Sequence, residues 1–149
     1  MAVTLRDIDR ENFGRCVKLE VREEQKSFVA SNLYSIAQSR VETTFTPQAV
    51  YDGDELVGFC MYGYDTDEGC HWIARLMIDK AYQGKGYGRA ATKEIVRRLS
   101  LEPGCREIAL SVEPENNVAQ RLYASLGFEK TGEVAHGEEI MRLRVKMDG

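Results

Sequence analysis

Gly84, Gly86 and Gly88 stand at alternate positions in Gln83-Gly84-Lys85-Gly86-Tyr87-Gly88-Arg89, between an apolar run and a helical pattern. Lacking a Cβ, such residues let successive backbone N–H groups point into one concavity, and the N-terminus of the following helix adds its positive dipole end. That arrangement suits a phosphate, and a cradle of this length suits a pyrophosphate. Two well-known phosphate patterns do not fit. A dinucleotide fingerprint needs a third glycine at position 89, where arginine stands, and no Gly-Lys-Ser/Thr follows at the spacing of a P-loop. On this segment alone, glycines that merely shape a tight turn remain the alternative.

The segment resembles the pyrophosphate motif Gln/Arg-x-x-Gly-x-Gly/Ala of the GNAT superfamily of N-acetyltransferases, here Gln83-Gly84-Lys85-Gly86-Tyr87-Gly88. A second element of that family matches downstream, N-x-x-A-x-x-x-Y-x-x-x-G-F, as Asn116-Asn117-Val118-Ala119, Tyr123 and Gly127-Phe128. Two separated matches are more specific than one. The N-terminal third, with Leu19-Glu20-Val21-Arg22-Glu23-Glu24-Gln25 and Phe28-Val29-Ala30-Ser31, looks most like bacterial spermine/spermidine acetyltransferases.

The resemblance implies one acetyltransferase domain over 1–149 that uses acetyl-CoA as cosubstrate and no metal. It implies that Gln83, Gly84, Lys85, Gly86, Tyr87, Gly88 and Arg89 hold the pyrophosphate. The backbone of Leu76, Met77 and Ile78 would pair with the pantetheine amides. A backbone N–H of Met77 or Ile78 would face the oxyanion of the tetrahedral species, an arrangement that typically contributes roughly 3 kcal/mol. Tyr123, one helical turn beyond Ala119 at the cofactor arm, falls on the family's general-acid position. A phenol of ordinary pKa is protonated at neutral pH and can protonate the departing sulfur. Helix pattern alone would instead pack Tyr123 with Leu122 and Leu126. Asn116 either contacts the cofactor arm or caps the helix that follows.

The acceptor is a small-molecule amine, and the N-terminal resemblance points to a polyamine or diamine. Glu20, Glu23 and Glu24 could hold its distal ammonium groups, although each also reads as part of a solvated helix face. Trp72, Tyr34 and Tyr51 could offer aromatic faces to a cation or simply pack in the core. Primary aliphatic amines are protonated at neutral pH, so a site that acetylates one must lower its pKa or provide a base. Acetylation of an amino acid, an antibiotic or a protein amine is the alternative within enzymes. A non-catalytic acyl-CoA sensor is the alternative outside them, and it would not need a phenol at 123.

Composition narrows the field. The 149 residues are 43% hydrophobic and 30% charged, the profile of one globular core, and the formal net charge of −4 argues against nucleic acid as the main partner. An anionic cofactor needs local positive charge, and Lys85, Arg89, Lys93 and Arg97 lie around the cradle at helical spacing, the last two reading best as solvated. The early charges of Met1-Ala2-Val3-Thr4-Leu5-Arg6-Asp7 and the lack of a long apolar run predict no membrane partner and a cytoplasmic location. Cys16, Cys60, Cys70 and Cys105 are scattered, and with only His71 and His136 they lack zinc-ligand spacing. Cys70-His71 is the one adjacent pair, and a buried small hydrophobe is the better reading of Cys70 than a nucleophile. A homodimer is expected only because many members of the resembled family pair.

These groups must be positioned by strands and helices. Val3 to Ile8 reads as a first strand, followed by two helical segments, the second with Val29, Leu33, Ile36 and Ala37 facing a core. After the break at Thr44-Phe45-Thr46-Pro47, the turns at Asp52-Gly53-Asp54 and Asp65-Thr66-Asp67-Glu68-Gly69 punctuate an antiparallel meander ending at Ile78. The helix after the cradle carries Tyr87, Ala91, Ile95 and Leu99 as a stripe and stops at Pro103-Gly104. Ile108, Leu110 and Val112 form a strand, Val118, Leu122 and Leu126 one face of a last helix, and Met141, Leu143 and Val145 a closing strand. The predicted class is α+β, a mixed, mostly antiparallel central sheet flanked by helices. The resemblance adds that the fourth and fifth strands splay, with the pantetheine arm in the gap.

Overall fold

The computed structural model describes residues 2–146. Its centre is a seven-stranded sheet in the order β1-β2-β3-β4-β5-β7-β6. The strands are β1 (Thr4–Asp7), β2 (Phe45–Asp52), β3 (Glu55–Asp65), β4 (Cys70–Ile78), β5 (Glu107–Val112), β6 (Glu129–Ala135) and β7 (Glu138–Arg144). All neighbours are antiparallel except β4 and β5. The helices are α1 (Phe13–Lys18), α2 (Asn32–Ser39), α3 (Tyr87–Ser100) and α4 (Asn117–Ser125), with one-turn 3-10 helices at Glu23–Gln25 and Lys80–Tyr82. The mixed, mostly antiparallel α+β class is the one predicted.

The two faces of the sheet bury different sets. Tyr87, Ala91, Ile95 and Leu99, the predicted α3 stripe, pack with Val50, Val57, Ile73, Ile108, Leu110 and Phe128. Cys16 and Ile36, from α1 and α2, pack with Ala49, Tyr51, Phe59, Met61 and Met77 on the other side. A polar node ties α3 to the β1 edge. Arg98 donates through Nη1 to Gln48 Oε1 (3.0 Å) and Tyr62 Oη (3.2 Å), and through Nη2 to the Leu5 carbonyl (3.2 Å).

Several elements depart from the sequence reading. Strand β2 runs through Pro47, because β1 pairs only as far as Gln48 and leaves Pro47 on a free edge where no N–H is needed. Helix α2 begins at Asn32, so Val29 precedes it, and Leu33 is 54% exposed rather than facing the core. Its inward residues are Asn32 and Ser35. Asn32 Nδ2 donates to the Cys16 carbonyl at 2.9 Å, adding a second donor to an acceptor that the Leu19 N–H already reaches at 3.2 Å at the end of α1. In α4 the buried residues are Gln120 and Tyr123, while Val118 lies outside. Strand β6 is an addition to the elements that the sequence predicts. Its residues Glu129–Val134 are all exposed, so it carries no alternating apolar signal. A two-residue turn closes the β6–β7 hairpin, with positive φ at His136 (52°) and Gly137 (79°).

Candidate functional site

The site lies where the sheet comes apart. Parallel strands β4 and β5 share only two registered pairs, His71↔Ile108 and Trp72↔Ala109, although β4 continues to Ile78. Beyond Trp72 the β5-facing edge of β4 has no strand partner among the described residues. On its other side β4 is paired with β3, but the register skips Ala74 between Met61↔Arg75 and Tyr62↔Ile73. Such a bulge re-aims the side chains that follow it. Gly58, opposite Ile78, brings β3 close here, since a Cβ on it would fall 2.4 Å from the Met77 carbonyl oxygen.

A first cavity of about 330 Å³ occupies the gap on the α3–α4 side. Its walls are Leu76, Met77 and Ile78 of β4, Gln83, Gly84, Gly86, Tyr87, Gly88 and Arg89 of the turn, and Asn116, Ala119, Leu122 and Tyr123 near or on α4. Gly84 and Gly86 have φ of 78° and 92°, a region that L side chains rarely enter. Gly86 is the N-cap of α3 and no side chain caps the helix, so the first-turn N–H groups are left for an anion. At Gly84 the space where a Cβ would stand is open. An apolar slot leading to an uncapped helix end fits a pantetheine arm and its pyrophosphate.

The side chains of this turn have other partners. Tyr87 Oη donates to Asp52 Oδ2 and Tyr82 Oη to Glu55 Oε2, each at 2.5 Å, so the cradle is fastened to the β2–β3 turn. These carboxylates push both phenol pKa values up, chiefly through the hydrogen bonds themselves. Gln83 Nε2 donates to Gln25 Oε1 (2.8 Å) and to the Ile78 carbonyl (2.9 Å), linking the N-terminal segment to the end of β4. Arg89 Nη1 donates to Ser125 Oγ at 2.5 Å. Lys85 does not line the cavity, and its ammonium lies 5.7 Å from the centre of the Tyr82 ring.

A second cavity of about 430 Å³ adjoins the first, sharing Phe28, Val29, Leu76, Asn116, Ala119 and Tyr123 with it. Its remaining wall is polar and includes Arg75, Ser111, Glu113 and Glu138. Arg75 Nη2 donates to Gln38 Oε1 at 3.2 Å, while its buried Nε has no partner. The carboxyl pKa of Glu138 is raised, first by burial and then by the charge of Glu113, against opposing pulls from Arg75, Ser111 and His136. None of these four wall residues belongs to a recognisable motif. The pairing of β5 with β7 brings Glu113 and Glu138 together, and only knowledge of that pairing could have found them.

Tyr123 belongs to both cavities. Its ring is 8% exposed, packs edge-on against Phe128 at 5.8 Å, and belongs to the core cluster against which Leu122 and Leu126 also pack. Burial raises its hydroxyl pKa to about 12, which keeps the phenol protonated and able to donate at neutral pH. Asn116 Oδ1 caps α4 by accepting from the Ala119 N–H at 3.2 Å, one of its two expected roles, and the residue also lines both cavities.

The three N-terminal glutamates are exposed and line neither cavity. Glu20 pairs with Lys80 at 3.2 Å and Glu23 with Lys26 at 2.9 Å. Helix α1 ends at Lys18, so residues 19–24 never share one helical face. Tyr34 is exposed, whereas Tyr51 and Trp72 are core. Burial raises the thiol pKa of Cys16 to about 11 and pushes those of Cys60 and Cys70 up as well, so none is a poised nucleophile. Among the described residues no helix is long and apolar enough to cross a membrane, and no three His, Cys, Asp or Glu residues could hold a metal ion.

The model of the acetyltransferase (GNAT) family matches residues 4–128. The chain is 33% identical over 148 residues to a probable spermine N(1)-acetyltransferase of Bacillus subtilis subsp. natto (strain BEST195), covering 95% of this chain and 97% of that protein. The spermidine N-acetyltransferase of Vibrio cholerae, solved in complex with CoA and spermine, has a similar fold, with a TM-score of 0.76 at 18% identity over 96% of this chain and 95% of that one. AAC(6')-Ib, solved with paromomycin and acetyl-CoA, has a TM-score of 0.80 at 20% identity over 97% and 94%.

Proposed function

Because this chain belongs to the GNAT acetyltransferase family and is an acetyl-CoA-dependent N-acetyltransferase, we propose that its acceptor is an aliphatic polyamine such as spermine or spermidine. The observation that carries this reading is the meeting of two unlike cavities at Tyr123: one apolar and ending at an uncapped helix N-terminus, the other polar and bearing two carboxylates. Relatives that act on spermine support it.

In this reading the first-turn N–H groups of α3 and the Gly84–Gly88 backbone hold the donor's pyrophosphate. The unpaired edge of β4 at Leu76–Ile78 binds the arm, and an N–H of Met77 or Ile78 meets charge developing on the carbonyl oxygen. The bound donor supplies a thioester, a good acyl leaving group. The acceptor enters from the side of Arg75 and Ser111 and gives its ammonium proton to water; its nitrogen attacks the carbonyl to form the tetrahedral species, which collapses as the C–S bond breaks and the nitrogen gives up its second proton to water. Tyr123 gives its proton to the departing sulfur and regains one from water.

The test is acetyl-CoA-dependent thiol release with spermine, spermidine, a short diamine, an aminoglycoside, free amino acids and a peptide amine. Selective turnover of the polyamines is expected. Selective turnover of another amine would refute the acceptor, and coenzyme A binding with no turnover of any of them would count for a sensor.

A further inference from the structure

Glu113 and Glu138 occupy facing positions at the open end of the β5–β7 ladder. In that ladder Ser111 is registered with Ile140 and Val112 with Glu139, so one further step sets Glu113 against Glu138. Facing positions project to the same side of a sheet, and here that side is the second cavity, whose wall also includes Tyr123. Both positions are held firmly. Gln120 Nε2 donates to the carbonyls of Glu113 (3.1 Å) and Pro114 (2.8 Å), pinning that loop to α4. Glu138 is the first residue of β7, directly after the tight His136–Gly137 turn.

Like charges at facing ladder positions repel. Among the described residues neither carboxylate takes part in a salt bridge. The nearby Arg75 commits its Nη atoms to the Ala74 carbonyl (2.8 Å) and to Gln38, and does not neutralise the pair by direct contact. A cation between the carboxylates would relieve the repulsion. The cavity gives such a cation room, and its shared wall with the first cavity sets the cation close to Tyr123.

We propose that Glu113 and Glu138 form the seat for a protonated nitrogen of the acceptor, selecting amines that carry a second positive charge a few methylenes from the reacting nitrogen. The seat rests on the polyamine reading above and gives it a residue-level basis. Burial and the charge of Glu113 raise the Glu138 carboxyl pKa, as expected of a pair poised to gain from a cation.

The experiment compares kcat/KM for spermidine and for butylamine, which has one nitrogen, in wild type, Glu113→Gln, Glu138→Gln and Glu138→Asp, with coenzyme A affinity as the measure of an intact fold. Each glutamine variant should lower kcat/KM for spermidine roughly tenfold to a hundredfold, mainly through KM, as loss of a charge-assisted hydrogen bond predicts. Butylamine should be nearly unaffected, and Glu138→Asp should fall between wild type and Glu138→Gln. Equal losses for both amines would overturn the seat in favour of a proton-accepting or structural role, and unchanged spermidine selectivity would overturn it outright. Should a glutamine variant fail to fold, an aspartate variant with wild-type selectivity and KM overturns the seat by itself. If wild type acetylates no polyamine, the acceptor reading fails and takes the seat with it. If wild type acetylates polyamines and the glutamine variants keep its kcat/KM for spermidine, the seat alone fails.

Discussion

Replacing Tyr123 with phenylalanine separates its chemical role from its packing. The ring stays against Phe128, and only a hydroxyl at the junction of two cavities is lost. If Tyr123 protonates the leaving sulfur, kcat should fall roughly 10²- to 10⁴-fold, while coenzyme A affinity holds. Stability offers an independent readout. Burial raises the phenol pKa from 10.0 to about 12 in the folded protein. A folded pKa above the unfolded one stabilises fully below pH 10 and is lost as pH rises toward 12. From these two pKa values, wild type should lose about 1.4 kcal/mol relative to Tyr123→Phe by pH 11, approaching about 3 kcal/mol above pH 12. Urea unfolding of both proteins at pH 9 and pH 11 measures the difference directly. Because the comparison is between two proteins that share every other titrating group, general alkaline destabilisation cancels. A stability difference that stays constant between those pH values would show that the phenol is not desolvated. Unchanged kcat would remove Tyr123 from the mechanism.

Other perturbations address the remaining parts of the site. Gly86→Val places a β-branched side chain at φ 92° in the cradle and should abolish coenzyme A binding by calorimetry; normal binding would mean that the anion lies elsewhere. Gly58→Ala sets a Cβ 2.4 Å from the Met77 carbonyl oxygen, so β4 must shift where it borders the gap. Overpacking of this kind typically costs about 1–3 kcal/mol, and thermal unfolding together with a weaker coenzyme A affinity should reveal it. Charge reversal of Glu23 and Glu24, both exposed and outside the cavities, should leave the spermidine KM nearly unchanged, and a large rise would bring those glutamates back into the acceptor site.

The proposed donor half of the site carries sequence signals because those signals are local. A glycine turn, the strand before it and the helix after it lie within one stretch of sequence, and Gly84, Gly86 and Tyr123 carry signals in their own spacing. The proposed acceptor half is not local. Glu113 and Glu138 are joined by a pairing of β5 with β7 that no short window contains, and the intervening β6 has no apolar rhythm to announce it. Helix α2 misled for a related reason. It docks through Asn32 and Ser35, and polar anchoring leaves no hydrophobic stripe, so Leu33 was assigned inward where Asn32 belongs. The bulge at Ala74 was equally silent, because it consists of an extra residue in a register rather than a residue type.

The two registered pairs between β4 and β5 have one more consequence. Strands β1 to β4 and strands β5 to β7 are two antiparallel blocks hinged at one end, and the β5-facing edge of β4 from Ile73 to Ile78 borders a vacancy, with no strand partner among the described residues. A donor whose amides bond to that edge serves as a missing strand, so ligand and protein together complete the sheet. Those amide protons of 73–78 that face the gap rather than β3 should therefore exchange quickly in the free enzyme and become protected when coenzyme A binds. The whole protein should melt at a higher temperature in step with coenzyme A concentration, because the folded state alone offers that vacancy.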